Sequence, residues 1–240
     1  MPLLRTQHSV LPGFTLSFAL SVLFICLVIL VPLSGLAIHV SQMSWAQYWG
    51  VITDPRSLAS FRVTLLAAAG ASGINAVVGL LLAWVITRYR FPGRRLMDAL
   101  GALRFALPTA VAGLTLSALF AANGWLGQWF EAVGISVAYT PLGIMIAMSF
   151  TSLPFVVRAV QPVLEDLTPD VEEAAATLGA TPMATFTRVI LAQLMPALLT
   201  GTALAFTRSL GEYGAVIFIA GNMPFETEIL SLLVSIRLDE

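Results

Sequence analysis

The chain has 240 residues, of which 58% are hydrophobic and 10% charged, with a mean hydropathy of +0.90. A soluble domain is about half apolar and a quarter charged, so this composition excludes a water-exposed globule. A net charge of −1 argues against a nucleic-acid partner, and the twelve basic residues are all arginine, which excludes a Walker A phosphate loop with its lysine.

The first apolar run, residues 14–38, is too long for a signal-peptide core and reads as a retained membrane helix. Cys26, the lone cysteine, lies within it, so no internal disulfide or thiolate metal site can form. His8 and His39 flank the run and make no H-E-x-x-H zinc pattern. Trp45, Tyr48 and Trp49 follow in a loop, where amphipathic rings suit the headgroup region. This helix and loop, residues 1–61, form one expected segment, and residues 62–240 form a membrane core.

No charge interrupts the stretches between Arg62 and Arg88, Arg104 and Glu131, Glu131 and Arg158, or Arg188 and Arg208. Each gap accommodates the ~20 apolar residues that cross a bilayer as a helix. Spans are predicted at residues 63–87, 105–122, 142–157 and 196–221. The fold class is therefore an all-α polytopic membrane protein with about five complete spans. Residues 229–236 are apolar but too short to cross, and the expectation is a truncated sixth helix.

Arginine sets the expected orientation, because cytoplasmic loops are enriched in Lys and Arg. Arg88, Arg90, Arg94, Arg95 and Arg104 crowd one loop. Placing that loop in the cytoplasm also puts Arg5, Arg158, Arg188 and the N-terminus there, leaving Arg56, Arg62 and Arg237 outside. Trp125 and Trp129 then fall in an outer loop.

Between the fourth and fifth spans lies a polar segment, residues 161–195, that reads as two short helices. Thr168 is an expected cap for the first, followed by Pro169, with Asp170, Glu172 and Glu173 near the positive end of the helix dipole. Gly179 suits its C-terminal turn, and Thr181 with Pro182 repeats the start signal. Val171, Ala174, Ala175 and Leu178 keep the spacing of one small apolar face. Such a face suits docking into a partner's groove or folding back on its own bundle. Glu165, Asp166, Asp170 and Glu172 read as a solvated acidic face.

Here a resemblance becomes specific. Glu173-Ala174-Ala175, then Gly179, then Val189-Ile190-Leu191 resembles the E-A-A loop of ABC importer permeases of the type I (MetI-like) fold, with Ala192 where the family's closing proline stands. The segments 149–158 and 206–214, with Arg88-Tyr89-Arg90-Phe91-Pro92-Gly93-Arg94 and Val10-Leu11-Pro12-Gly13-Phe14-Thr15, are similar to the CysT (CysU) family of sulfate permease subunits. Arg104 departs from that family, where proline is usual. The resemblance implies a bacterial inner-membrane permease for sulfate or thiosulfate that couples to its ATPase through Glu173, Ala174, Ala175, Leu178 and Gly179. It implies a heterodimer with a CysW-type permease, two CysA-type ATP-binding subunits and a periplasmic sulfate-binding protein. ATP and Mg would be bound by the ATPase, with no cofactor or catalysis in this chain. A molybdate or tungstate permease is the alternative within the class, and a passive anion channel lies outside it.

Arg208 and Glu212 fall inside the predicted fifth span, where a central charge costs about 2.5 to 3.5 kcal/mol. Their i, i+4 spacing allows them to neutralise each other, or Arg208 to face an anion pathway. Ser209 stands beside them. Gly201, Ala205 and Ser209, and also Gly211 and Ala215, form small-residue stripes suited to close helix packing. Pro108 and Pro154 are expected to bend their spans, so that Thr109, Thr115, Thr151 and Ser152 present hydroxyls to a polar path or bond to their own backbone.

Overall fold

The structure is a computed structural model that describes residues 14–94, 97 and 108–239; the side chains of Thr15 and Asp239 lie outside that description. Arg5, His8, Arg95, Arg104 and the stretch 105–107 therefore lie outside the described residues. The chain divides into two units between Asp54 and Pro55.

In the first unit α1 (Phe14–Ile25) runs through a π-helical turn (Cys26–Leu30) into α2 (Val31–Ser41). Pro32 explains the turn, since its ring crowds the carbonyl four residues back and it has no N–H to give. The rod has a membrane-spanning window from Leu16 to Ser41 with none of it buried. Ser21, Ser34 and Ser41 satisfy their hydroxyls on carbonyls of their own helix, as an apolar surrounding requires. Helix α3 (Trp45–Ile52) starts at a capping box in which Ser44 Oγ accepts from the Gln47 N–H and Gln47 Oε1 accepts from the Ser44 N–H. Trp45, Tyr48 and Trp49 pack on one another with ring centroids 5.6 to 5.9 Å apart.

The second unit is built on three long helices. These are α4 (Pro55–Arg88), α7 (Pro141–Asp166) and the continuous rod Pro182–Leu210, made of α9 (Pro182–Ala184), a π-helical turn (Thr185–Ile190) and α10 (Leu191–Leu210). Shorter helices fill the connections: α5 (Thr109–Phe120), α6 (Gly127–Ala132), α8 (Pro169–Thr177), α11 (Val216–Ile219) and α12 (Leu230–Asp239). Helices α4, α7 and α10 pack pairwise against one another.

Small residues bring these three helices together. Val156 of α7 is fully buried between two glycines. A Cβ on Gly79 of α4 would stand 2.7 Å from Val156 Cγ1, and one on Gly201 of α10 would stand 2.9 Å from Val156 Cα. Ala205 and Ser209 continue the α10 stripe and are buried, so this stripe packs as its spacing requires.

Two apolar clusters result. One gathers Ala68, Ala71, Ile144, Met148, Val216 and Ile219, and the other Ala83, Val156, Val160, Leu164, Ile190 and Leu194.

Among the described residues four helices are long and apolar enough to cross a membrane, and α5 is a shorter apolar helix. Three expectations are corrected. The fifth span begins at Pro182 rather than residue 196, because Pro196 sits inside the helix, as membrane helices tolerate where neighbouring groups re-satisfy the freed carbonyl. It ends at Leu210 rather than residue 221: Gly211 caps it, and the chain resumes as α11 only after Gly214. Gly211 and Ala215 therefore form no helical stripe; Gly211 meets nothing within 4 Å.

Candidate functional site

The coupling segment begins where α7 ends. Thr168 occupies the N-cap position of α8 with an extended backbone, yet its side chain makes no capping bond, contrary to expectation. Pro169, whose φ is already helical, starts the helix instead, and Asp170 and Glu172 occupy the first turn. The helix ends in a Schellman motif: the Ala180 N–H donates to the Ala175 carbonyl at 3.0 Å and the Gly179 N–H to the Ala176 carbonyl at 2.9 Å. Gly179 has φ +80°, a left-handed conformation that only glycine enters without a steric cost. Thr181 caps the next helix, its Oγ1 accepting from the Ala184 N–H.

The expected single apolar face of α8 divides in two. Val171 and Ala175 are half-buried, whereas Glu173, Ala174 and Leu178 are exposed, Leu178 by 88%. Met183, just beyond Gly179, is exposed by 72%. The helix thus folds back on its bundle on one side and offers Ala174 outward on the other, with Leu178 at its end and Met183 of α9 also exposed. Such exposed apolar residues beside the exposed Asp170 and Glu173 suit a protein contact.

Glu172 departs from the expected solvated face. Its Oε1 lies 2.6 Å from Arg88 Nη2 at the end of α4. The Arg88 guanidinium lies over the Trp84 ring at 5.3 Å, and Trp84 meets Phe186 edge-on at 5.4 Å. Trp84, Glu172, Ala176, Pro182, Phe186 and Ile190 line a cavity of about 330 Å³ behind α8.

A polar layer separates the two apolar clusters along α4, α7 and α10. Asn75 Nδ2 donates to the Ser149 carbonyl at 3.1 Å and to Ser152 Oγ at 2.8 Å, while Ser149 Oγ donates to Asn75 Oδ1 at 2.5 Å. Ser209 Oγ donates to Ser152 Oγ at 3.1 Å, and Ser152 Oγ donates to the Met148 carbonyl at 2.6 Å. Ser152 is fully buried, and its hydroxyl joins α4 and α10 to α7. Thr151 and Thr115 donate to carbonyls of their own helices. Thr109 is half-buried against Gly214, where a Cβ would collide with its hydroxyl.

Around Ser209 the charged pair closes. Arg208 Nη1 lies 2.7 Å from Glu212 Oε2, and the other oxygen of Glu212 accepts from the Ala215 N–H at 3.0 Å. Glu212 is 1% exposed, and about a third of the Arg208 side chain remains open. At the far end of α4 a second pair, Arg56 with Glu228, is bidentate: Nε to Oε2 at 2.8 Å and Nη2 to Oε1 at 2.6 Å. Thr64 Oγ1 accepts from the Leu230 N–H at the start of α12.

Sequence reasoning missed Asn75, Ser149, Arg88 and the Arg56 and Glu228 pair. Asn75 had a signal, being an amide inside a charge-free apolar run. The separation of 172 positions between Arg56 and Glu228 gives no pattern that could have joined them.

Comparison with known proteins decides what this geometry belongs to. Residues 75–236 match the family described as binding-protein-dependent transport system inner membrane component. The chain belongs to that family. This permease is 62% identical over 235 residues to the sulfate transport system permease protein CysT of Salmonella typhimurium and, equally, to that of Escherichia coli, covering 98% of this chain and 85% of each relative. It is 42% identical over 228 residues to CysT of Synechocystis, covering 95% of this chain and 80% of that relative. The permease is thus a multi-pass transport component of the ABC transporter class.

Proposed function

We propose that this chain is the CysT-type subunit of an ATP-driven importer that carries sulfate or thiosulfate across the bacterial cytoplasmic membrane. The observation that carries the reading is 62% identity, over nearly its whole length, to permeases named for sulfate transport. Its partners are a CysW-type permease, two CysA-type ATPases and a periplasmic binding protein. The ATPases hold ATP and Mg.

The geometry supports division of labour along the chain. The outward face of α8, with Glu173, Ala174 and Leu178, meets the ATPase, and Gly179 fixes its angle. Arg88, Arg158 and Arg188 belong to the same end of the bundle as α8, while Arg56 and Arg62 belong to the start of α4. That distribution supports α8 and the N-terminus being cytoplasmic. The open third of Arg208 supplies positive potential to the anion path, with Thr109 and Thr151 as neutral hydroxyls on neighbouring helices.

The test is uptake of labelled sulfate by cells that depend on this gene and express its partner subunits. The expected result is ATP-dependent uptake competed more strongly by thiosulfate than by molybdate. Stronger competition by molybdate transfers the assignment to molybdate or tungstate, and absence of ATP-dependent uptake contradicts the reading.

A further inference from the structure

We infer that Arg88 and Glu172 form the joint through which the docking helix α8 drives α4, making Arg88 a positioning residue for coupling. The inference rests on the transport reading above and deepens it.

Helix α8 is joined covalently to the membrane helices on both sides, through Leu167 and Thr168 to α7 and through Gly179, α9 and the π-helical turn to α10, and neither path leads to α4. A glycine at φ +80° followed by a π-helical turn is a compliant route, since π segments interrupt the regular ladder of hydrogen bonds. A side-chain contact reaches α4 directly. Glu172 and Glu173 are adjacent, and a helix turns about 100° per residue, so Glu173 points outward while Glu172 turns to the bundle and meets Arg88. Arg88 itself lies over the Trp84 ring at 5.3 Å, and Trp84 is braced edge-on against Phe186 within the π-helical turn. One side chain therefore touches the docking helix and a rigid aromatic platform on α4.

What α4 does with the displacement follows from its residues. Asn75 lies thirteen positions before Arg88, about 20 Å along a straight helix, and supplies the amide of the polar layer to Ser149 and Ser152. Between them Gly79 lets α4 lie directly on Val156 of α7. A push at Arg88 thus reaches an interhelical hydrogen-bond layer through a helix with no proline after its first residue. The route through α10 contains both the π-helical turn and Pro196, and the route through α7 contains Pro154 and Pro162.

The complete transporter in proteoliposomes tests this, reading sulfate transported per ATP hydrolysed and retention of the ATPase. Arg88→Glu and Glu172→Arg each keep the ATPase bound but lower that ratio by about 2- to 150-fold, the fold-change equivalent of the coupling between contacting side chains. The swapped pair Arg88→Glu with Glu172→Arg recovers most of it, and Arg88→Lys, which keeps the charge but not the guanidinium over Trp84, falls between. Unchanged ratios in the single variants, or no recovery in the swap, overturn the joint. Should the charge variants fail to assemble, a tether decides: in a Cys26→Ser background, Arg88→Cys and Glu172→Cys are bridged by a short bifunctional maleimide. Retained uptake supports joint movement of α8 and α4, and blocked uptake contradicts it. If the unmodified transporter carries no sulfate, the transport reading fails independently of the pair.

Discussion

Glu212 is held by two partners at once: Arg208 Nη1 at 2.7 Å and the Ala215 N–H at 3.0 Å. The carboxylate therefore neutralises the charge at the end of α10 and caps the chain as it turns into α11. Removing one partner of a buried pair costs about 3 to 5 kcal/mol, less here because Arg208 is partly open. Glu212→Ala should lower the thermal midpoint of the detergent-purified permease by several degrees more than Arg208→Gln does. An equal or smaller loss for Glu212→Ala would remove its capping role.

A clean reading of anion affinity needs both charges changed together. Arg208→Gln alone leaves Glu212 unpaired and confounds assembly with transport. Arg208→Gln with Glu212→Gln should fold and transport with a raised KM for sulfate. An unchanged KM in the double variant would leave Arg208 a structural residue only.

The polar layer is expected to contribute modestly, because interhelical hydrogen bonds in membranes are worth roughly 0.6 to 2 kcal/mol each. Asn75→Ala removes bonds to Ser149 and Ser152 and leaves space at a fully buried site. A loss of about 2 to 4 kcal/mol is expected from equilibrium unfolding in mixed micelles. Ser209→Ala, which removes one bond from the edge of the layer, should cost less.

Glycine positions in α10 and beyond separate sharply. A Cβ on Gly201 would press on the α7 backbone at 2.9 Å, whereas one on Gly211 meets open space. Gly201→Val should destabilise by about 1 to 3 kcal/mol, and Gly211→Ala should stay within about 0.5 kcal/mol of the parent. Thermal unfolding of the two variants side by side checks this.

These contrasts show what the residues disclose in advance. The apolar runs, the stripe of Gly201, Ala205 and Ser209, and the turn at Gly179 were legible because each is a local pattern with one physical meaning. The i, i+4 spacing of Arg208 and Glu212 allowed the pairing seen at 2.7 Å, beside the alternative of an anion-facing Arg208. The end of α10 was not legible, because the apolar run continues through 215–220 and the helix yields there to a side-chain cap from Glu212 and to packing of Gly214 on Thr109. The inward turn of Glu172 was likewise hidden, since Arg88 lies 84 positions away and an acidic run reads as solvated until its neighbour is known.

At the docking helix, Gly179→Asp places a side chain at φ +80°, which costs about 1 to 2 kcal/mol and turns Leu178 and Met183 from their present angle. ATP-dependent sulfate uptake in membrane vesicles should be lost while the protein still inserts. Gly179→Asn, a residue that tolerates this conformation, should retain more uptake.

The most direct measurement places a single cysteine on the exposed face of α8, Leu178→Cys in a Cys26→Ser background, and follows its crosslinking in the assembled transporter. The expected product joins this position to the ATP-binding subunit from the cytoplasmic side. Modification by a membrane-impermeant maleimide from the outside of intact cells, with no crosslink to the ATPase, would contradict a docking helix that receives the work of ATP hydrolysis.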